Sequence, residues 1–200
     1  MLGFLAGCGS ETVDELPPAA RPPRSPALTR APAGVVSALE PRSAVPRDTA
    51  TLDGGRRVAV LSRRERVLEL YDAGTRRRVG HAPAGVGPTH VACLDRGPCY
   101  VTDTRGDALL VYAVGDGIEP TRRYRLAGGP FGLALDRARR RLYVTLPARN
   151  ELVELVAHAR PHVLRRWPTV RQPGSVAIDQ RTGHVLVTGR ADGVLERVAP

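Results

Sequence analysis

Apolar residues in this chain fall in short runs that polar turns separate, beginning at Val58. The runs 58–62, 67–71 and 108–112 hold five residues each and are rich in valine, leucine and tyrosine, which favour strands. Eighteen prolines and 21 glycines interrupt the chain too often for long helices. The pattern predicts an all-β domain.

The runs repeat. Three units share a glycine-proline or proline-glycine entry, a run of small and apolar residues, a turn and a second strand that ends in Val-Thr. The threonines are Thr102, Thr145 and Thr188, so successive units are 43 residues apart. After each threonine come a polar turn and a third strand, at 108–112, 151–156 and 193–198, and the two complete units add a fourth strand.

A period of about 40 to 45 residues with four short strands per unit is typical of a β-propeller blade. We count a partial copy from Val58, two complete units and a terminal partial unit, hence an incomplete propeller of about 3 to 4 blades, whereas closed propellers have about four to eight. The segment Gly34–Leu39 is a candidate strand for completing the last blade. Self-association that completes a ring, and a longer parent protein, are open alternatives.

Tyr143-Val144-Thr145, Asn150 and the upstream Gly-Pro resemble the YVTN-type β-propeller repeats, and the likeness covers roughly residues 58–200. The resemblance implies a β-propeller from a family that serves surface binding and adhesion and includes lyase-like and quinoprotein relatives. The asparagine that follows Tyr-Val-Thr in the family is replaced by Asp103, Leu146 and Gly189 here. Any role of that asparagine is therefore not carried over.

The first residues resemble a bacterial lipobox, Leu5-Ala6-Gly7-Cys8. The resemblance implies that residues 1–8 are the remnant of a lipoprotein signal and that Cys8 carries the lipid. A complete signal has an apolar segment of about 7 to 15 residues after a charged region, and only seven residues precede Cys8. The alternative is that Cys8 is an incidental cysteine near the terminus.

Residues 9–50 are rich in proline, alanine and arginine. Such a composition favours extended polyproline conformations and buries little apolar surface, so it predicts a disordered, semi-rigid tether. The tether would space the repeat domain, residues 51–200, from a membrane that the lipid anchors to.

All 30 basic residues are arginine, and the formal net charge is +10. The arginines are scattered through strands and turns and do not form a clustered footprint with aromatic residues, so we expect no nucleic-acid partner. No apolar run approaches the roughly 20 residues that span a bilayer as a helix. A solvated basic surface near an anionic envelope is the favoured interpretation.

Cys93 and Cys99 fall on the first and second strands of one unit. Alignment places Cys93 level with Ala134 and Ala177, and Cys99 level with Leu142 and Val185, so the two sulfurs can face each other across a hairpin. A disulfide is expected in an oxidising compartment, and two buried thiols are the alternative.

No catalytic constellation, cofactor motif or metal-ligand spacing is recognisable, and we expect neither a cofactor nor a metal. Propeller geometry places a ligand site where the turns between second and third strands gather. These turns carry charges of both signs, and the candidate residues are Asp103, Arg105, Asp107, Arg149, Asn150, Glu151, Arg190 and Asp192.

The sequence therefore predicts an exported lipoprotein, anchored to the outer face of the cell membrane, that acts as a binding scaffold. Its ligand, whether an envelope protein, a polymer or a small molecule, is not specified by these residues. Two alternatives stay open: a propeller enzyme resembling the lyases or quinoproteins, and a fragment of a longer propeller without activity of its own.

Overall fold

The computed structural model describes residues 46–191 and 193–200, and almost all of them lie in strands or tight turns. The predictions for residues 1–8, Cys8, residues 9–45 of the tether, Gly34–Leu39 and Asp192 lie outside the described residues. Residues 46–50, which were assigned to the tether, lie in the first strand of the first sheet. No helix in the described part is long and apolar enough to cross a membrane.

The strands form four antiparallel sheets, numbered here as blades I to IV. Blade I contains β1 (Pro46–Leu52), β2 (Arg57–Ser62), β3 (Val67–Asp72) and β4 (Arg78–Pro83). Blade II contains β5 (Pro88–Cys93), β6 (Cys99–Asp103), β7 (Ala108–Val114) and β8 (Ile118–Arg125). Blade III contains β9 (Leu133–Asp136), β10 (Arg141–Leu146), β11 (Glu151–Val156) and β12 (Val163–Pro168). Blade IV contains β13 (Pro173–Ile178), β14 (Val185–Gly189) and β15 (Val194–Val198).

Each strand pairs with the next one in the chain, so every sheet is an up-and-down meander. The all-β fold and the β-propeller of four-stranded blades are confirmed, with a fourth blade that shows three strands in the described residues. The first blade was expected to be partial and is complete. Its first and fourth strands, β1 and β4, lack the alternating apolar pattern that identified the others.

Apolar clusters lie between consecutive blades. One cluster joins blades I and II, a second joins II and III, and a third joins III and IV. The innermost strands pack in the same order, β1 on β5, β5 on β9 and β9 on β13. Among the described strands, no packing of comparable extent joins blade IV to blade I.

The threonine of the repeat fastens one blade to the next. The hydroxyl of Thr145 accepts the N–H of Gly132 at 2.8 Å in its own blade and donates to the carbonyl of Gly174 in blade IV at 3.0 Å. Thr102 accepts the N–H of His90 at 3.1 Å and donates to the carbonyl of Phe131 in blade III at 2.9 Å. The Val-Thr pair is thus explained by an inter-blade hydrogen bond in addition to strand propensity.

A left-handed residue closes the turn between the second and third strands of every blade. The four residues are Arg66, Asp107, Asn150 and Gly193, with φ between 50° and 64°. In blades I to III its carbonyl also accepts the N–H of the residue that follows the fourth strand, at 2.7 to 2.8 Å. The turn therefore positions the start of the connector to the next blade.

Cys93 and Cys99 form a disulfide, as predicted. The alignment of Cys93 was wrong by one residue, because strand pairing places it level with Leu135 and Ile178. The turn between the first and second strands of blade II has one residue fewer than the same turn in blades III and IV. The sequence alignment did not place the missing residue in that turn with the correct length, so Cys93 was shifted by one position. Both cysteines are fully buried in the cluster between blades I and II.

Blade IV differs from the others in exposing one face. Leu68, Leu109 and Leu152 occupy one position in the third strands of blades I to III, and all three are fully buried. The equivalent residue in blade IV, Leu195, is 64% exposed. No following blade covers it within the described residues.

Candidate functional site

The turns between second and third strands lie at the same end of the blades as the connectors that join one blade to the next. We call this end the connector face. It carries the candidate residues predicted from sequence, apart from Asp192. The turns between first and second strands, and between third and fourth, lie at the opposite end.

Three arginines of the connector face lie across glycines. A Cβ atom added to Gly87 would come within 2.7 to 3.0 Å of the Arg105 side chain, and one added to Gly174 would meet Arg190 at 2.9 Å. Gly128, which has φ of +123°, stands in the same relation to Arg149. Because glycine has no side chain, the stem of each arginine rests on the backbone that enters its own blade. All three arginines are exposed.

An aromatic residue links blades II, III and IV on this face. The imidazole of His90 meets the ring of Phe131 edge to face at 5.3 Å, and its Nδ1 lies 2.9 Å from the Phe131 carbonyl. The guanidinium of Arg190 lies 5.8 Å from the centroid of the same ring, within the range of a cation–π contact. Phe131 thus offers the Arg190 guanidinium an aromatic contact on the connector face.

Asp103 has a structural role. Its carboxylate is buried and accepts three backbone N–H bonds, from Val86 at 3.0 Å, from Gly87 at 2.7 Å and from Gly106 at 3.2 Å. A Cβ on Gly85 or Gly106 would collide with it. Backbone amides that converge on a carboxylate satisfy its lone pairs and compensate its burial. Asp103 therefore fixes the connector into blade II and is closed to a ligand.

Asp107 and Asn150 hold the next two connectors in the same way. The Asp107 carboxylate accepts the N–H groups of Gly128 at 3.0 Å and Gly129 at 2.8 Å. The side-chain oxygen of Asn150 accepts the N–H of Gln172 at 2.9 Å. These two residues sit at equivalent left-handed positions, where aspartate and asparagine are tolerated best.

Glu151 points away from the other candidates. It forms a 2.8 Å ion pair with Arg166 of β12, toward the outer edge of blade III. The structure therefore separates the predicted set into two groups. The carboxylates and the amide bind the protein's own backbone or β12, and Arg105, Arg149 and Arg190 are exposed.

Sequence reasoning missed four residues of the connector face. His90 and Phe131 lie on the entries of blades II and III, and no spacing rule singles them out. Arg63 and Arg64 are exposed on the equivalent turn of blade I, and a complete count of blades would have found them. Among the described residues, no group of three or more His, Cys, Asp or Glu side chains is placed to hold a metal ion.

No protein-family model matches this chain, and no curated protein matches it in sequence. Solved structures match its fold. A functionally unknown protein from Desulfotomaculum acetoxidans has a TM-score of 0.64 and 13% identity over 77% of this chain and 55% of its own. The Cps50 (Swd1) β-propeller domain of Myceliophthora thermophila has a TM-score of 0.64 and 11% identity over 78% and 52%.

Streptogramin B lyase has a TM-score of 0.55 and 12% identity over 78% of this chain and 54% of its own. The chain thus spans about half the length of these three solved structures. At such low identity the likeness shows the fold alone. The chain has a β-propeller fold that structures of unknown function and enzymatic propellers share.

Proposed function

We propose that this protein is an exported, lipid-anchored β-propeller whose connector face binds a ligand that carries carboxylate, phosphate or sulfate groups. The observation that carries the binding role is the charge of that face. Among the described residues, Asp103 and Asp107 accept backbone N–H groups and Glu151 pairs with Arg166 of β12, while Arg105, Arg149 and Arg190 are exposed. A guanidinium recognises planar and tetrahedral anions through paired N–H donors.

The aromatic contact supports the same proposal. Arg190 is held against Phe131, and the stems of Arg105 and Arg149 rest on glycine. An arginine that is already oriented loses less conformational entropy when it binds. A set of pre-oriented cations is the arrangement that a binding surface for an acidic ligand needs.

Export is supported by the disulfide and by the lipobox resemblance. Disulfides such as Cys93–Cys99 persist in oxidising compartments and are rare in the reducing cytosol. Lipid on Cys8 would hold the propeller at the outer face of the cell membrane. Two or three acyl chains anchor a protein stably because each buried methylene contributes about 0.8 kcal/mol.

The anchor is tested by fractionating bacteria that express the chain behind a complete lipoprotein signal. We expect the wild type in the membrane fraction and Cys8→Ala in the soluble extracytoplasmic fraction. The reporter of export is the oxidation state of Cys93 and Cys99, measured by thiol trapping. Equal membrane retention of the two proteins would overturn lipidation at Cys8.

The connector face is tested with a sulfated polysaccharide, heparin, as an anionic probe. Replacing Arg105, Arg149 and Arg190 by glutamine should weaken binding at least about tenfold, or about 1.4 kcal/mol. The matched control replaces three exposed arginines away from this face, Arg96, Arg122 and Arg160, and changes the net charge equally. Equal losses in both triple variants would mean that only net charge matters, and the proposed face would be wrong.

A further inference from the structure

A wedge-shaped cavity opens between each pair of consecutive blades, at the end opposite the connector face. The three cavities have volumes of about 280, 360 and 330 Å³ from blade I to blade IV. Each one is lined by the residue at the beginning of a second strand: Arg57 and Arg141 begin β2 and β10, and Pro98 directly precedes β6. The presence of a wedge between blades is therefore a consequence of the repeat, and the three wedges differ only in the side chains that line them.

The wedge between blades III and IV collects basic and polar side chains. Six of its lining residues are Arg139, Arg141, Tyr143, Glu154, Arg165 and His184. Tyr143, Glu154 and Arg165 are directly paired across β10, β11 and β12, so their side chains form one row on the same face of the sheet. His184 enters from the first turn of blade IV.

The acidic groups of this region are already matched. Glu154 lies 3.2 Å from Arg141 and accepts a 3.4 Å hydrogen bond from the Tyr143 hydroxyl. Burial raises the pKa of Tyr143 to about 12, so the hydroxyl remains a donor at neutral pH. Arg139 forms a 2.9 Å ion pair with the buried carboxylate of Asp136. These contacts orient two guanidinium groups, and the wedge has no further Asp or Glu side chain among its lining residues to pair with Arg165.

Arg165 is the surplus cation. Among the described residues its guanidinium makes no hydrogen bond or ion pair, and neither does the imidazole of His184. A guanidinium, an imidazole and two oriented arginines around one cavity match the donor set that a tetrahedral oxyanion needs.

The other two wedges lack this combination. Between blades II and III, Pro98 and Val111 occupy the positions of Arg141 and Glu154, and Arg122 is the counterpart of Arg165. Between blades I and II, Arg57 is paired with Asp53 at 3.2 Å, and Gly80 stands where Arg165 would be. The wedge between blades II and III, with Arg122 at the position of Arg165, is therefore a natural control for anion binding in the wedge between blades III and IV.

We propose that the wedge between blades III and IV binds a phosphate group, with Arg165 as the principal ligand and Arg139, Arg141 and His184 as supporting donors. The site lies at the other end of the blades from the connector face. The proposal is independent of the proposed function, because the two sites share no residue.

Trp167 offers a local probe. It is the one tryptophan of the sequence, lies two residues beyond Arg165 in β12, and is half-buried in the cluster between blades III and IV. Titration with inorganic phosphate, against potassium chloride at equal ionic strength, should change its fluorescence in a saturable manner. Arg165→Gln should weaken phosphate binding at least about tenfold, and Arg122→Gln should leave it within about twofold of wild type.

Thermal melts of both variants establish that the blades stay folded, and a His184→Gln variant gives a second measurement with an expected loss of about three- to fivefold. A saturable response that Arg165→Gln abolishes supports the site. No saturable response in the wild type, or an equal loss in Arg122→Gln, would overturn it.

Discussion

Blades III and IV are built from the same repeat, yet one is covered on both faces and the other on one. Leu152 of β11 is fully buried, whereas Leu195 at the same position of β15 is 64% exposed. The two leucines have the same strand partner, a threonine of the Val-Thr pair. Burial in this repeat is therefore decided by the next blade, and a blade's own sequence cannot secure it.

The hydrogen bonds of the two threonines show the same difference. Thr145 donates to the carbonyl of Gly174 in the following blade, whereas Thr188 donates to Ser175 of its own blade at 3.4 Å. Thr188 keeps the bond that it accepts from the Ser175 N–H at 3.0 Å. The hydrogen bond that the threonine accepts thus forms within its own hairpin, whereas the bond that it donates to another blade requires that blade to be present.

The largest expected effect separates the two leucines. Leu152→Ala removes a buried side chain from the cluster between blades III and IV and should destabilise the protein by about 3 kcal/mol. Leu195→Ala should change stability by less than about 0.5 kcal/mol, because solvent already reaches the side chain. Urea unfolding measures both values. Equal losses would show that the face of β15 is covered in solution.

A smaller effect is expected at the threonines. Thr145→Val leaves the Gly132 N–H and the Gly174 carbonyl without their buried partner, which should cost about 2 kcal/mol. Thr188→Val should cost less than about 0.5 kcal/mol, because water replaces the hydroxyl at an exposed site. The comparison fails if the two valine variants unfold at the same urea concentration.

Two tyrosines at one position of β6 and β10 should respond in opposite directions. The Tyr100 hydroxyl is buried and, in the described part of the chain, has no hydrogen-bond partner, because Val111 stands where blade III has Glu154. Tyr100→Phe should therefore stabilise the protein by about 1 kcal/mol, and Tyr143→Phe should destabilise it by about as much. Thermal unfolding of the two variants decides the sign.

Tyr143 also makes the stability of the protein depend on pH. Burial raises the pKa of Tyr143 from 10 to about 12, so the unfolded chain loses that proton first as the pH rises. The contribution of Tyr143 to stability is complete below pH 10 and is lost as the pH rises toward 12. Stability measured from pH 9 to 11.5 should fall less steeply in Tyr143→Phe than in the wild type.

The smallest effect concerns two partly exposed carboxylates, Asp72 of blade I and Asp179 of blade IV. Hydrogen bonds from the Thr182 hydroxyl and the Arg181 backbone hold the pKa of Asp179 below its usual range. Thr182→Val should raise that pKa, and Thr75→Val should do the same for Asp72, whose pKa is lowered mainly by the Thr75 backbone and hydroxyl. An NMR titration of the side-chain carboxyl carbons measures both shifts. Unchanged values would contradict the hydrogen bonds.

The strands predicted from sequence were those whose own residues show an apolar, β-branched or aromatic pattern. β2, β3, β6 and β10 are rich in β-branched, aliphatic and aromatic residues. The 43-residue spacing of the Val-Thr pairs in β6, β10 and β14 identified the blades. β1 and β4 escaped because Thr49, Thr51 and His81 interrupt the apolar pattern. These strands are held by pairing with β2 and β3, and pairing partners are not visible in a local window.

The sequence predicted where the candidate residues lie in the fold, but it did not predict which of their polar groups are available to a ligand. Position in the repeat placed Asp103, Asp107 and Asn150 on the turns, but the direction of their oxygens follows from the connector backbone beside them. Arg105 and Asp103 are two residues apart, and one is exposed while the other is buried. Charge in a turn therefore did not reveal which groups face solvent.

The sequence by itself determined the 43-residue repeat, the order of the blades, the Val-Thr strands and the hairpin that carries Cys93 and Cys99, because these depend on residue type at short range and on a regular period. The tertiary structure decided which carboxylates accept hydrogen bonds or form ion pairs within the protein, which arginines are exposed, and which inter-blade cavity is lined by several basic side chains. These properties depend on residues from consecutive blades, where the backbone of one supplies the partners of the other. Leu195 is the clearest case, since only a neighbouring sheet distinguishes it from Leu152.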